Sequence, residues 1–125
     1  MTLRDVIGRV RAMRNPCPPE EDLIKIVSQT EAEILRKIVF PRAETIEFVG
    51  YTSADMDRVL QAAAPFDEIY VIACMRYIDR LENQTTEINN SEREYKEIFG
   101  EYAAWYLRTH RPAPGPRVGS KWYGI

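Results

Sequence analysis

Between Pro65 and Arg111 apolar and aromatic residues recur at spacings of three and four, interrupted once by a short polar stretch. Tyr70, Cys74, Tyr77 and Leu81 follow one another by 4-3-4, which is one stripe of a helix with 3.6 residues per turn. Val71, Met75 and Ile78 add a second stripe, leaving Glu68, Arg76, Asp79 and Arg80 for a narrow polar side. A helix apolar over most of its circumference belongs in the middle of a bundle. Ile88, Tyr95, Phe99, Tyr102 and Tyr106 repeat the spacing, opposite Glu92, Arg93, Lys96, Glu97 and Glu101. The two segments predict an antiparallel helical hairpin against which the rest of the chain must pack. Tyr70, Tyr77, Ile78, Tyr95, Phe99, Tyr102 and Tyr106 are its expected core.

The polar link Glu82-Asn83-Gln84-Thr85-Thr86 carries one start signal, with Thr86 as N-cap, and Ser91-Glu92-Arg93-Glu94 carries another. The last helix therefore starts at either place or kinks near Asn89-Asn90. Upstream, Thr2-Leu3-Arg4-Asp5 is a capping box with Asp in the usual place of Glu or Gln. Leu3, Val6, Ile7, Val10 and Met13 then mark the face of a short amphipathic helix, which Asn15-Pro16-Cys17-Pro18-Pro19 ends. A second helix is expected from about Pro19, with Glu20, Glu21 and Asp22 at its positive end. Leu23, Val27, Thr30, Ile34 and Ile38 are its stripe, and Phe40-Pro41 stops it. Residues 45–51 alternate in the manner of a short strand, Thr52-Ser53-Ala54-Asp55 is turn-like, and Met56 to Leu60 reads as a second strand or a brief helix. The fold class is thus mainly α: a small bundle of about four helices, with a short β-hairpin or extended loop between the second and third. Residues 1–111 form one domain. After it Arg111-Pro112-Ala113-Pro114-Gly115-Pro116 opens an extended C-terminal arm, 112–125.

Little here points to chemistry. The net charge of -2 gives no overall pull toward nucleic acid or acidic membranes, and no stretch is long and apolar enough to span a bilayer. The two cysteines make no disulfide framework, and with one histidine they cannot close a four-ligand structural zinc site. His110 ends a helix, where a dipole partner is the ordinary role. No glycine-rich phosphate loop or nucleophile motif is present, so neither a catalytic residue nor a cofactor or metal is expected. Asp67 with Glu68, and Asp79 with Glu82, are carboxylate pairs of the solvated or ion-paired kind. Arg4, Arg11 and Arg14 give the first helix a basic side, which reads either as a phosphate- or DNA-facing surface or as a solvated face pairing with the acidic side of another helix. The tyrosines read as a base-stacking platform or, more simply, as core with wetted hydroxyls.

The order Pro65-Phe66-Asp67-Glu68-Ile69-Tyr70, Ile78-Asp79, Asn89-Asn90-Ser91, and then Tyr95, Phe99, Tyr102, Tyr106 and Arg108 resembles the head–tail connector (adaptor, or head-completion) proteins of long-tailed bacteriophages and prophages. Members of that family often carry an acid where Gln84 stands, an aromatic at Ile88 and an asparagine at Lys96. The resemblance implies a helical subunit of a homo-oligomeric ring beneath the portal protein. The ring extends the channel for genomic DNA and presents a surface to a stopper or tail-completion protein. It implies a virion location at the head–tail interface, host cytoplasm during assembly, and no membrane. A C-terminal segment gripping the portal would here be Arg117, Lys121, Trp122, Tyr123 and Ile125. Ile46, Phe48 and Tyr51 are the expected contacts with neighbouring subunits or the channel. Ring contacts are head-to-tail, and the basic first helix could complement the acidic side of the last. The competing reading is a small helical binding or regulatory module that touches nucleic acid through the basic first helix and tail.

Overall fold

The structure, a computed structural model, describes residues 1–14, 16–39, 48–83 and 85–110. Four helices account for most of these residues: α1 (Leu3–Met13), α2 (Glu20–Ile34), α3 (Glu68–Glu82) and α4 (Thr85–Thr109). The expected capping box opens α1. The Asp5 N–H donates to Thr2 Oγ1 at 3.2 Å, and the Thr2 N–H donates to Asp5 Oδ2 at 3.0 Å. Leu3, Val6, Ile7 and Val10 are buried, while Met13, expected on the same face, is largely exposed where the helix ends. Pro19 caps α2 with extended backbone, and its carbonyl accepts from the Asp22 and Leu23 N–H groups. The helix continues past Ile34 as a single π-helical turn, Leu35–Val39, that buries the adjacent pair Ile38 and Val39. Phe40 and Pro41, the expected stop, lie outside the described residues.

As its apolar circumference requires, α3 is central and packs against α1, α2 and α4. Ile69, Tyr70, Val71, Ala73, Cys74, Met75 and Ile78 are buried. Two expectations for its last turn are overturned. Leu81, assigned to the apolar stripe, is 59% exposed, and Asp79, assigned to the polar side, is 2% exposed. The physical reason is that α1 and α4 supply polar partners at this level, so the acid and not the leucine turns inward. Asn83 closes α3 in the left-handed conformation (φ 54°), which asparagine tolerates better than most side chains. From Thr85, α4 runs as one helix, so it starts in the earlier of the two places, but Thr86, the expected N-cap, is already inside it, as is Ser91.

Among the described residues there is no strand, and those of the α2–α3 connection, from residue 48 onward, follow the extended-loop alternative. Residues 45–47 lie outside them. Thr52 and Asp55 cap one 3-10 turn, Ser53–Asp55. The chain then runs alongside the N-terminus instead of returning to residues 48–51. Leu3 N–H donates to the Arg58 carbonyl at 3.2 Å, Arg4 N–H to that of Met56 at 2.9 Å, and Leu60 N–H to that of Met1 at 3.1 Å. Thr2 and Val59 form an isolated antiparallel bridge. One apolar core joins Leu3, Val6 and Val10 of α1, Leu23, Val27 and Ile34 of α2, α3, and Tyr95, Tyr102 and Tyr106 of α4.

Candidate functional site

Where α2, α3 and the 48–62 segment meet, the core holds a carboxylate. Glu31 is 2% exposed. Its Oε1 accepts the Tyr70 hydroxyl at 2.7 Å. Its Oε2 accepts the Tyr51 hydroxyl at 2.7 Å and the Gln61 N–H at 2.9 Å. Tyr70 in turn accepts the Ala62 N–H at 2.9 Å. Among the described residues no ion pair reaches Glu31. Every donor is neutral, and each is bound in the sense that an ionised carboxylate accepts. Burial, reinforced by the adjacent carboxylate, pushes the Tyr51 and Tyr70 phenols well above the usual tyrosine range, so both remain donors.

A second buried acid ties the other side of the bundle. Arg14 Nη2 reaches Asp79 Oδ1 at 3.0 Å, and the Ser91 hydroxyl donates to Asp79 Oδ2. Three helices are thereby joined through one side chain.

The residues expected to carry function fall into three groups. Arg117, Lys121, Trp122, Tyr123, Ile125 and Ile46 lie outside the described residues. Phe48 and Tyr51 pack edge to face at 5.0 Å, both half-buried, and the Tyr51 hydroxyl points inward to Glu31. In the expected core, Tyr70, Ile78, Tyr95, Tyr102 and Tyr106 are buried and Tyr77 and Phe99 sit at its margin. Phe66 packs on Tyr102 and on Trp105 at 5.4 and 5.3 Å. His110 stacks flat on Tyr106 at 3.9 Å, so it is engaged by its own helix.

The basic side of α1 meets acids: Arg11 and Arg14 pair with other helices, the second of the two readings, while Arg4 pairs with a loop residue. Arg4 pairs with Asp57 at 3.2 Å, Arg11 with Glu20 at 3.5 Å, Arg9 with Glu68 and Arg14 with Asp79. On α4, Glu92 takes Arg76 at 3.7 Å and also Arg80. Of the sequence carboxylate pairs, Asp67 faces the Met1 amino group at 3.6 Å, while Glu68 and Asp79 have the arginines just named. A cleft of about 180 Å³ between α2, α3 and α4 is lined by Thr30, Glu33, Arg76, Tyr77 and Tyr95 among others. Its groups satisfy each other: Tyr95 donates to Glu33 at 2.7 Å, and the Arg76 guanidinium lies 3.9 Å above the Tyr95 ring. Among the described residues no three His, Cys, Asp or Glu side chains are grouped to hold a metal ion, and no helix is long and apolar enough to cross a membrane.

Neither Glu31 nor the burial of Asp79 was anticipated from the residues, yet a signal was present. Glu31 follows Val27 by four and precedes Ile34 by three, so it stands on the apolar stripe of α2. An acid on such a stripe needs a partner in the core. Comparison with models of protein families, with curated proteins and with solved structures finds no match to this chain.

Proposed function

We propose that this chain is a structural virion protein, a head–tail connector of a long-tailed bacteriophage or prophage. It assembles as a ring under the portal, extends the DNA channel and joins the capsid to a stopper or tail-completion protein. One observation carries the reading: the residues of the connector-like pattern meet in space as a single seam. Asp79 and Ser91, from the Ile78-Asp79 and Asn89-Asn90-Ser91 steps, are hydrogen-bonded across α3 and α4. Phe66, from the Pro65-to-Tyr70 run, packs on Tyr102, and Tyr102 on Tyr106. The pattern therefore specifies how two helices pack, which is what a protein working by shape and assembly needs. The Ser91–Asp79 pair in the seam is buried and tied to Arg14, a helix junction closed to substrate, and the proposal includes no catalytic step.

The surfaces that would do the joining leave this scaffold. Residues 46–51 are assigned to the neighbouring subunit or channel, and the 112–125 arm, with Arg117, Lys121, Trp122, Tyr123 and Ile125, to the portal. Because the arginines of α1 are paired within the chain, lateral complementarity falls less on that helix than on the loop, where Val49 and Val59 stand 89% and 75% exposed. The buried Arg14–Asp79 pair weighs against the nucleic-acid module, which would draw on Arg14 together with Arg4 and Arg11 as phosphate ligands. Electron microscopy of purified portal mixed with the full chain, or with the chain lacking residues 112–125, tests the reading. A ring on the portal that is lost on truncation is expected. Absence of any portal-bound ring rejects it, and salt-dependent binding to short DNA that vanishes on neutralising those arginines favours the module instead.

A further inference from the structure

We infer that residues 48–62 form a strap whose two ends are buckled together by the Glu31 carboxylate, and that this strap opens as a unit while the four-helix bundle stays folded. The strap is a loop whose first and last parts bond to the same carboxylate oxygen. At its start Gly50 takes φ +104°, a backbone state open to glycine and strained for other residues. That turn aims the Tyr51 N–H at Ser28 Oγ, 2.9 Å away, and the Tyr51 hydroxyl at Glu31. At its finish the Gln61 N–H reaches the same carboxylate oxygen, and the Ala62 N–H is held one step removed through Tyr70. One side chain thus closes a loop from both ends.

Between these ends the side-chain hold is weak, and the strap rests on its backbone bonds to the N-terminus. Val49, Val59, Asp57 and Arg58 are exposed, and the Arg4–Asp57 pair lies in solvent. Leu60 and Ala62, next to the buckle, are the fully buried positions of the strap, with three backbone hydrogen bonds to Met1, Leu3 and Arg4 beside them. Regions with few buried apolar contacts and solvent-facing hydrogen bonds open at lower free energy than the core. Here the two ends share one control point, while the bonds to the N-terminus hold only the middle. Losing the carboxylate frees Tyr51 and Gln61 together, and the floor under Leu60 and Ala62 is bared. The inference does not depend on what the chain joins.

Hydrogen exchange on the full chain decides it, comparing the native protein with Glu31→Gln and Tyr51→Phe. An amide offers one acceptor oxygen and sets an NH2 against the remaining donors, so the buckle cannot close fully in Glu31→Gln. Amides of 48–62 should exchange at least about tenfold faster in that variant and several-fold faster in Tyr51→Phe, a difference of the size one or two charge-assisted hydrogen bonds produce. Those of α3 and α4 should hold their native rates in Tyr51→Phe. Acceleration spread evenly over strap and helices in both variants would make Glu31 an ordinary core group and overturn the strap. So would unchanged rates in 48–62. Should Glu31→Gln fail to fold, Tyr51→Phe decides alone, since it removes one hydroxyl from a half-buried ring.

Discussion

Asp79 and Glu31 lie on different helices, each 2% exposed, and their surroundings solve the same desolvation problem differently. Asp79 has a cation, Arg14, together with the Ser91 hydroxyl. Glu31 has two phenols and a backbone N–H. Taking a carboxylate out of water costs several kcal/mol unless charge or hydrogen bonds replace the hydration. The first arrangement joins helix to helix to helix, so its failure is felt by the whole bundle. The second joins two helices to a loop, so part of its failure can be absorbed by the loop leaving. Equal burial therefore does not mean equal consequence; what matters is whether the partners can move away.

Asp79→Ala is the largest break in this comparison. It strands a partly buried guanidinium and leaves Ser91 only the Glu87 carbonyl as acceptor, at a cost of about 3 kcal/mol, the low end for half of a buried pair because Arg14 can still reach water. Denaturant midpoints measure it, and a cost below about 1 kcal/mol would put Asp79 in the class of surface pairs. Replacing both partners, Arg14→Met with Asp79→Leu, should restore most of the loss. Cys74 reports the same event from inside. Burial, with Cys17 adding a smaller push, raises its thiol to about 12, so alkylation near neutral pH requires opening of the bundle. Labelling should speed about a hundredfold in Asp79→Ala, following the stability lost. In Tyr51→Phe it should stay at the native rate, because the strap moves without α3. Equal labelling of the two variants would erase the distinction drawn here.

Tyr95→Phe probes a case between the two. The Tyr95 hydroxyl donates to Glu33, which is partly exposed and has Lys37 at 3.4 Å as a cation. Burial, and then the Glu33 carboxylate, push the phenol above the tyrosine range. Water and Lys37 can serve Glu33 once the hydroxyl is gone, so the expected loss is about 1 kcal/mol by urea unfolding. A loss as large as that of Asp79→Ala would show that α2 and α4 depend on this bond as the junction of α1, α3 and α4 depends on Asp79.

How much of this could be read beforehand follows from what periodicity measures. The stripes at Leu3 to Val10, Leu23 to Ile34, and in α3 and α4 located four helices, because burial of large apolar groups dominates and repeats with the helix. Asp79 and Glu31 were misassigned or passed over because such a reading places every acid outside, whereas position relative to Val27 or Met75 puts these two on inward faces. Residues 56–60 looked like half of a hairpin. Their partner is the N-terminus, more than fifty positions away, and no local pattern encodes a long-range pairing of that kind. Ser91 signalled a helix start and instead bonds back to the Glu87 carbonyl and across to Asp79, since a hydroxyl serves a neighbouring helix as readily as its own N-terminus.

The smallest expected effect isolates the neutral-donor half of the comparison. Asp5 is fully exposed, so burial contributes little to its titration, yet its carboxylate is held below the ordinary 3.8. The Thr2 backbone N–H is the main cause and the Thr2 hydroxyl the next, with positive charges minor. A carboxyl whose pKa is depressed by folding supports the folded state above its unfolded value, and that support disappears as pH falls through the depressed value. Asp5 should therefore stabilise the start of α1 at pH 4 and above, and release it below that. Carboxyl NMR titration should place its midpoint under 3.8, and Thr2→Ala should move it partly back. A midpoint at or above 3.8 would mean that the uncharged donors of the capping box do not by themselves favour the ionised form of Asp5.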